Sequence, residues 1–416
     1  MNKELIYGIT ESPKTLKEWI FYSMQQTLSI LTATILISNL CGTDIAAGMV
    51  GAGVATIAFQ IFTHFKAPLF FSNSGSTVAA VITALTIFPD SYTGVILGGL
   101  VACVMNVIAG LLVKSIGSGW VNKLLPPALA GTVVCVIGLN LAGFCVTYIG
   151  TGGDYSLLKI LVAFISMLTT VLVMRYGKGL WKTLPFLCGA LVGYILAAIL
   201  GLVDFSIFTN TPLFIKPDFA FLHFSLTEIE WSKVLTIVIT FAAVNLANMA
   251  EHISDVLAVS SVVGEDLTKT VGIDKTLIGD GIADLIGSII GGQPTTTYSE
   301  SLSTIEVSRV ASTRIIACAA ALLIALGFFG PFNAFVSSIP SCVFGGIAIV
   351  AYGCIAFAGI RVMVNANPTS RKNSIIIPVM LVLGVSGISV NIGHFSLTTI
   401  VLSMIIGLLL NLIIKE

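Results

Sequence analysis

Residues 291–309 read GGQPTTTYSESLSTIEVSR, a polar, proline-bearing passage between long apolar segments. Glu300 stands inside it, at a depth where a membrane-spanning helix is normally apolar. A carboxylate there costs about 2.5–3.5 kcal/mol on insertion scales, so such groups are kept for a substrate, an ion or a proton. Gly291, Gly292, Pro294 and the β-branched run Thr295–Thr297 are poor helix formers, which predicts a broken span in place of a full-length helix. Non-helical backbone at membrane depth persists only where protein or a water-filled cavity satisfies its N–H and C=O groups. Such breaks line transport sites.

The composition agrees with a membrane setting. Of 416 residues, 56% are hydrophobic and only 10% charged, and the mean hydropathy is +1.02. These values exclude a soluble globular protein. At about 20 residues per span the length accommodates on the order of fourteen helical spans, with no sizeable soluble domain left over. Zero net charge gives no indication of a nucleic-acid partner. The eight cysteines lie in or beside apolar segments without a CxxC, which reads as buried small residues and not as disulfides or zinc ligands. No cofactor or metal is implied. The opening MNKELIYGITESPKTLKEW runs into a full-length apolar segment without a small-residue cleavage site, so the first span is expected to act as the insertion signal.

Apolar windows fall near 21–40, 45–65, 68–87, 92–116, 127–148, 157–174, 184–203, 233–258, 277–292, 295–312, 314–336, 340–358, 373–390 and 397–414. With the amino end cytoplasmic and spans alternating, seventeen Lys and Arg fall inside and only Lys159, Lys216 and Lys233 outside. One missed span would destroy that bias, so an even count with both termini cytoplasmic is expected. The chain then divides into a first seven-span half (1–203), a connecting loop (204–232) and a second half (233–416). Pro127, Gly131, Gly138 and Gly143 are echoed by Pro340, Gly346, Gly353 and Gly359, and the polar SNSGST at Ser72–Thr77 by TTTYSES. An odd number of spans per half makes this an inverted repeat, in which two interrupted spans meet near the midplane. Glycine-rich membrane helices also resemble one another by chance.

The span from Lys233 carries Asn245, Asn248, Glu251, His252 and Asp255. Spacings of three and four place Asn248, Glu251 or His252, and Asp255 along one face. Interhelical hydrogen bonding accounts for the asparagines. It does not account for two carboxylates four residues apart, which with Glu300 can carry a proton or bind a polar ligand. Asp280, Asp284 and Glu306 rank below them: the first two sit in a short, glycine-rich window from which either could reach a water-filled interface, and Glu306 is expected to pair with Arg309. His64, His223 and His394 read as interfacial or solvated. Tyr298 and Tyr352 each offer a ring and a hydroxyl.

AEH at Ala250–His252, TTTYSES around Glu300, GIRV at Gly359–Val362, SGISVNIG at Ser386–Gly393, Gln25–Gln26 and SGWVNKLLPP from Ser118 together resemble the nucleobase/ascorbate transporter (nucleobase:cation symporter-2) family, especially its uracil/xanthine permease branch. The resemblance covers nearly the whole chain. It implies an all-α polytopic membrane protein of fourteen spans in two inverted sevens, with short extended pieces in the third and tenth spans, and core and gate domains. It further implies that Glu251 and Glu300 bind the solute, with Tyr298, Ser299, Tyr352, Ser74 and Gly75 in neighbouring pocket positions, and that the protein dimerises. This chain departs from the family pattern at Asp255, where uracil permeases carry histidine, and at Gly75, where they carry an aromatic. Ser301 and Ser303 replace the usual Asn and Gly.

The leading expectation is thus a secondary transporter in a cell membrane. It would take up a nucleobase-like planar heterocycle such as uracil or a purine, coupled to a proton or sodium through Asp255, Glu251 and Glu300. A transporter of a different, cationic solute on the same fold is the first alternative, motivated by Asp255. An intramembrane carboxylate-dependent hydrolase is the alternative from another class, since paired carboxylates activate water. It is weakened because IGDG around Asp280 does not match the GxGD pattern of aspartyl intramembrane proteases.

Overall fold

The computed structural model describes residues 5–117, 126–150, 156–178, 181, 184–209, 211–225, 229–388, 390–392, 395–397 and 399–414. Ser118–Leu125, which carry most of SGWVNKLLPP, lie outside them, as do Gly393 and His394.

The chain opens with α1 (Leu16–Cys41), started by a reciprocal cap between Thr15 and Glu18 and stopped by Gly42 at φ 70°. In α2 (Ile45–Phe62) the Asp44 carboxylate accepts from the Ala47 N–H at the first turn. The chain then leaves helical geometry, passes Pro68 and forms β1 (Phe71–Asn73), followed by α3 (Val78–Ile87) and α4 (Thr93–Ile116). Next come α5 (Pro127–Ile149), with proline in its first turn where no donor is lost, α6 (Leu157–Tyr176) and α7 (Pro185–Ile199). After a loop come α8 (Trp231–Val263), a π-helical turn, α9 (Ile273–Gly291), β2 (Thr295–Thr297) and α10 (Ser299–Ser308). The chain continues through α11 (Thr313–Phe328), α12 (Gly330–Ser337), α13 (Ser341–Asn365) and α14 (Asn373–Val385). It closes with β3 (Val390–Ile392), β4 (Phe395–Leu397) and α15 (Thr399–Ile413). Among the described residues, seven helices are long and apolar enough to cross a membrane.

The windows at 68–87 and 295–312 are not full helices. Each is a three-residue strand followed by a helix of 10 residues, or about 15 Å, half of a hydrocarbon core of about 30 Å. The strands pair antiparallel, Phe71 opposite Thr297 and Asn73 opposite Thr295. Their backbone groups are thereby satisfied inside protein, as membrane burial demands. The windows at 373–390 and 397–414 also differ from continuous helix. Gly387, at φ 72°, follows the end of α14, and Val390–Ile392 pairs antiparallel with Phe395–Leu397 in place of the last turn and the next start.

The helices pack as two groups. α1–α4 pack with α8–α11 around the strand pair, and α5–α7 pack with α13–α15. Close approach inside the second group depends on glycine: a Cβ on Gly131 would lie 2.7 Å from the Gly359 carbonyl oxygen. Small residues let membrane helices meet backbone to backbone.

Candidate functional site

Where the two groups face each other, a cavity of about 170 Å³ opens beside the strand pair. One wall comes from the broken spans and α8: Gly75, Ser76, Glu251, Thr296, Thr297, Tyr298 and Glu300. The opposite wall is α5 and α13, with Val134, Ile137, Ala351, Tyr352, Cys354 and Ile355, and α1 contributes Ala33, Leu36 and Ile37. Polar groups thus converge on one side of an otherwise apolar slot, the usual form of a small-molecule site.

The polar wall is rigidly held. Ser74 N–H donates to the Pro294 carbonyl at 3.0 Å and Tyr298 N–H to the Phe70 carbonyl at 3.1 Å, extending the ladder past both strand ends. The Tyr298 hydroxyl donates to the Asn73 carbonyl at 2.7 Å. Its hydrogen bond is therefore spent on the scaffold, and the ring is what it offers to the cavity. α8 is tied in by Asn248, which accepts from Ser76 and donates to Ser74 at 3.4 Å. The Thr297 hydroxyl donates to Asp255 at 2.5 Å. Glu251 has Asp255, Glu300 and Asp280 as acidic neighbours. α3 and α10 each follow one strand of the pair, and Glu300 lies in the first turn of α10, where the helix amino terminus carries partial positive charge.

The structure therefore brings Gly75, Glu251, Tyr298, Glu300 and Tyr352 to one cavity. Ser74 is corrected: it sits behind the lining, bonded to Ser76 and Asn248, and Ser76 takes the cavity position. The side chain of Ser299 is outside the described residues. Asp255 stands behind Thr297 and does not itself line the cavity. Ser301 bonds Gln26 of α1 at 3.1 Å, and Ser303 is exposed on α10. The anticipated polar stripe on α8 is divided: Glu251 faces the cavity, while His252 points to Asp280 on the other side. Asp280 and Asp284 do not reach a water-filled interface; both are fully buried. Sequence reasoning missed Thr296 and Thr297, which line the cavity from β2. The hydroxyls of Thr296 and Tyr352 are buried without a hydrogen-bond partner.

A permease-family model, Xan_ur_permease, matches residues 17–393 of the chain. The chain belongs to this permease family. The permease is 35% identical to the uracil permease of Bacillus caldolyticus, over 100% of its own length and 95% of that protein's. It is 32% identical to the uracil permease of Escherichia coli K12, over 98% and 94%. Among solved structures it shares its fold with the transmembrane domain of the cyanobacterial bicarbonate transporter BicA, at TM-score 0.66 and 15% identity, covering 97% of this chain and 98% of that one. Murine Slc26a9 in the inward-facing state superposes at TM-score 0.68 and 11% identity, over 97% of the permease and 69% of that chain. Together with its apolar helices, this makes the permease a multi-pass cell-membrane protein.

Proposed function

We propose that the permease is a secondary transporter for a nucleobase-like planar heterocycle, uracil or a purine, that binds between Glu251 and Glu300. The observation that carries the reading is the cavity itself. Two carboxylates from separate elements and an unpartnered Tyr352 hydroxyl line an otherwise largely apolar cavity. Ring N–H groups would donate to Glu251 and Glu300, and ring carbonyls would accept from the first-turn N–H groups of α3 and α10. The ring would stack on Tyr298. Relatives of similar length named uracil permease support the solute class.

Fourteen spans in two inverted halves (1–203 and 233–416, joined by 204–232) with cytoplasmic termini form part of the same proposal. The strand-centred group would be the core and the α5–α7 with α13–α15 group the gate, moving past each other to expose the cavity to either side. Uptake would be coupled to a proton or sodium, with Glu251, Asp255 and Glu300 as the charges that the cation balances. Dimerisation is proposed on family resemblance alone. A cationic solute is the second reading, favoured by Asp255 behind the lining. Replacing Glu300 by Ala should abolish uptake while protein remains in the membrane. Retained uptake would contradict the site assignment.

A further inference from the structure

α10 carries Glu300 in its first turn, and Arg309 ends it in the left-handed region at φ 60°, about 13 Å further along the axis at 1.5 Å per residue. The four residues that follow, Val310 to Thr313, are all buried. The amino-terminal segment Ile6–Ser12 runs alongside them as a strap. Ile6 N–H donates to the Arg309 carbonyl at 2.8 Å, Ala311 N–H to the Tyr7 carbonyl at 2.9 Å, and Thr313 N–H to the Ile9 carbonyl at 3.0 Å. Tyr7 and Val310 form a parallel bridge. Two side chains extend the contact: the Ser312 hydroxyl donates to the Glu11 carbonyl and the Arg314 guanidinium to the Ser12 hydroxyl, each at 2.5 Å. The buried Tyr7 side chain clusters with Val310 and Ile315 and meets the Tyr22 ring edge to face at 6.2 Å.

Thr313 ties this strap to a third piece of chain. Its side chain is fully buried, and Oγ1 lies 2.9 Å from the Ile9 carbonyl oxygen and 2.9 Å from that of Phe65. Phe65 belongs to the turn that leads α2 toward β1, where His64 and Phe65 have φ 53° and 55°. Among the described residues five non-glycine residues adopt positive φ, and three of them, His64, Phe65 and Arg309, lie in the segments that this junction joins. Side chains with a Cβ avoid that region, and several are kept together only where surrounding bonds over-determine the backbone. Those bonds are present. Phe65 N–H donates to the Gln60 carbonyl at 2.7 Å, and Gln60 Nε2 donates to the carbonyls of Ala67 at 3.0 Å and Leu69 at 2.8 Å, just before β1.

α10 is thereby held at both ends against one stretch of chain, residues 65–73. At the cavity end β2 pairs with β1, and at the other end Thr313 bonds Phe65. We propose that Thr313 and the amino-terminal strap Ile6–Ser12 are positioning residues for Glu300: by fixing the exit of α10 they set the direction of the helix, and with it the place of the carboxylate in the cavity. The inference rests on the reading of Glu300 as a solute ligand. Without the junction α10 would be hinged at β2 alone, and a binding group must be held to about 0.5 Å to keep its geometry. Such coupling is reciprocal, so a solute bound at Glu300 tightens the strap by the same free energy with which the strap favours the solute.

The test uses purified full-length protein, with uracil exchange in liposomes and amide hydrogen exchange by mass spectrometry. Thr313→Val keeps the shape and removes the hydroxyl, and Thr313→Ser restores it. In Thr313→Val the half-saturating uracil concentration should rise about three- to tenfold, the value of one neutral hydrogen bond, with the maximal rate unchanged. Amides of α10 should exchange faster by a similar factor while those of α6, in the other helix group, keep their wild-type rates. Thr313→Ser should return both readouts to wild type. In wild type, saturating uracil should slow exchange at Ile6, Ala311 and Thr313, whose N–H groups bind across the strap. An unchanged half-saturation or unchanged α10 exchange in Thr313→Val would overturn the proposal, whatever the loss in thermal stability. If that variant does not fold, the wild-type measurement decides: strap amides indifferent to bound uracil overturn it. If wild type binds no heterocycle, the solute reading fails, and α10 exchange in Thr313→Val still decides whether the junction holds the helix.

Discussion

The Thr297 hydroxyl on β2 donates to the Asp255 carboxylate on α8 at 2.5 Å, so the strand that lines the cavity is fastened to the helix that carries Glu251. Replacing Thr297 with Val removes a hydrogen bond to a buried carboxylate, worth about 1.5–3 kcal/mol. Thermal unfolding in detergent should show a destabilised Thr297→Val and a near-wild-type Thr297→Ser. Equal stability of Val and wild type would show that the bond does not hold the strand in place.

Glu251 and Glu300 approach the cavity from two elements and both line it. Gln keeps the shape and removes the charge, losing charge-assisted acceptance of about 1.5–3 kcal/mol, which weakens binding roughly ten- to a hundredfold. Titration calorimetry with uracil on Glu251→Gln and Glu300→Gln reads this directly. An unchanged affinity in either would remove that residue from the site.

Tyr352 buries a hydroxyl that has no hydrogen-bond partner. If the solute is its partner, Tyr352→Phe should leave thermal stability unchanged or slightly raised. Affinity should fall about three- to tenfold, the value of one neutral hydrogen bond of about 0.5–1.5 kcal/mol. Loss of stability with affinity intact would point to a packing role.

At Gly75 a Cβ would sit 3.4 Å from Ile355 Cδ1 and 3.5 Å from Ile37 Cδ1, ordinary contact at the cavity wall. Gly75→Ala should therefore be silent. Gly75→Phe should fill part of the slot and weaken bicyclic purines more than single-ring pyrimidines, measured by competition against labelled uracil. Equal effects on both ring sizes would mean that this position does not set cavity size.

How much of this was legible beforehand depended on which physical signal each residue emits. The interruption at Gly291–Thr297 was readable because glycine, proline and β-branched residues oppose helix locally. Its strand partner Phe71–Asn73 was less so, since three residues inside an apolar window carry no period. Glu251 and Glu300 were readable as carboxylates in apolar surroundings. Helical spacing turns His252 about a hundred degrees away from Glu251, but it could not say that His252 meets Asp280, because the neighbouring helix decides that. Nor could spacing choose between a water-filled interface and burial for Asp280 and Asp284, which are buried against Asn106. Ser74 missed the cavity by one residue, a shift that pattern reading cannot resolve in a turn.

Gly131 and Gly359 were noted as members of a loose repeat, and Gly359 also in GIRV, yet neither reading showed that they meet across α5 and α13. Gly131→Leu would force the two helices apart. Overpacking of this kind destabilises by about 1–3 kcal/mol, and thermal unfolding should show it while Gly143→Leu, with open space around its Cβ position, does not.

The most direct test of the central claim is the thermal stability of the purified permease against a panel of nucleobases and related heterocycles, with and without sodium and at two pH values. A ligand that binds the folded state stabilises it by mass action, by about 2.7 kcal/mol at a hundred times its dissociation constant. The account predicts a selective upward shift with uracil or a purine that is lost in Glu300→Ala. No shift with any nucleobase, or a shift that survives in Glu300→Ala, would contradict it.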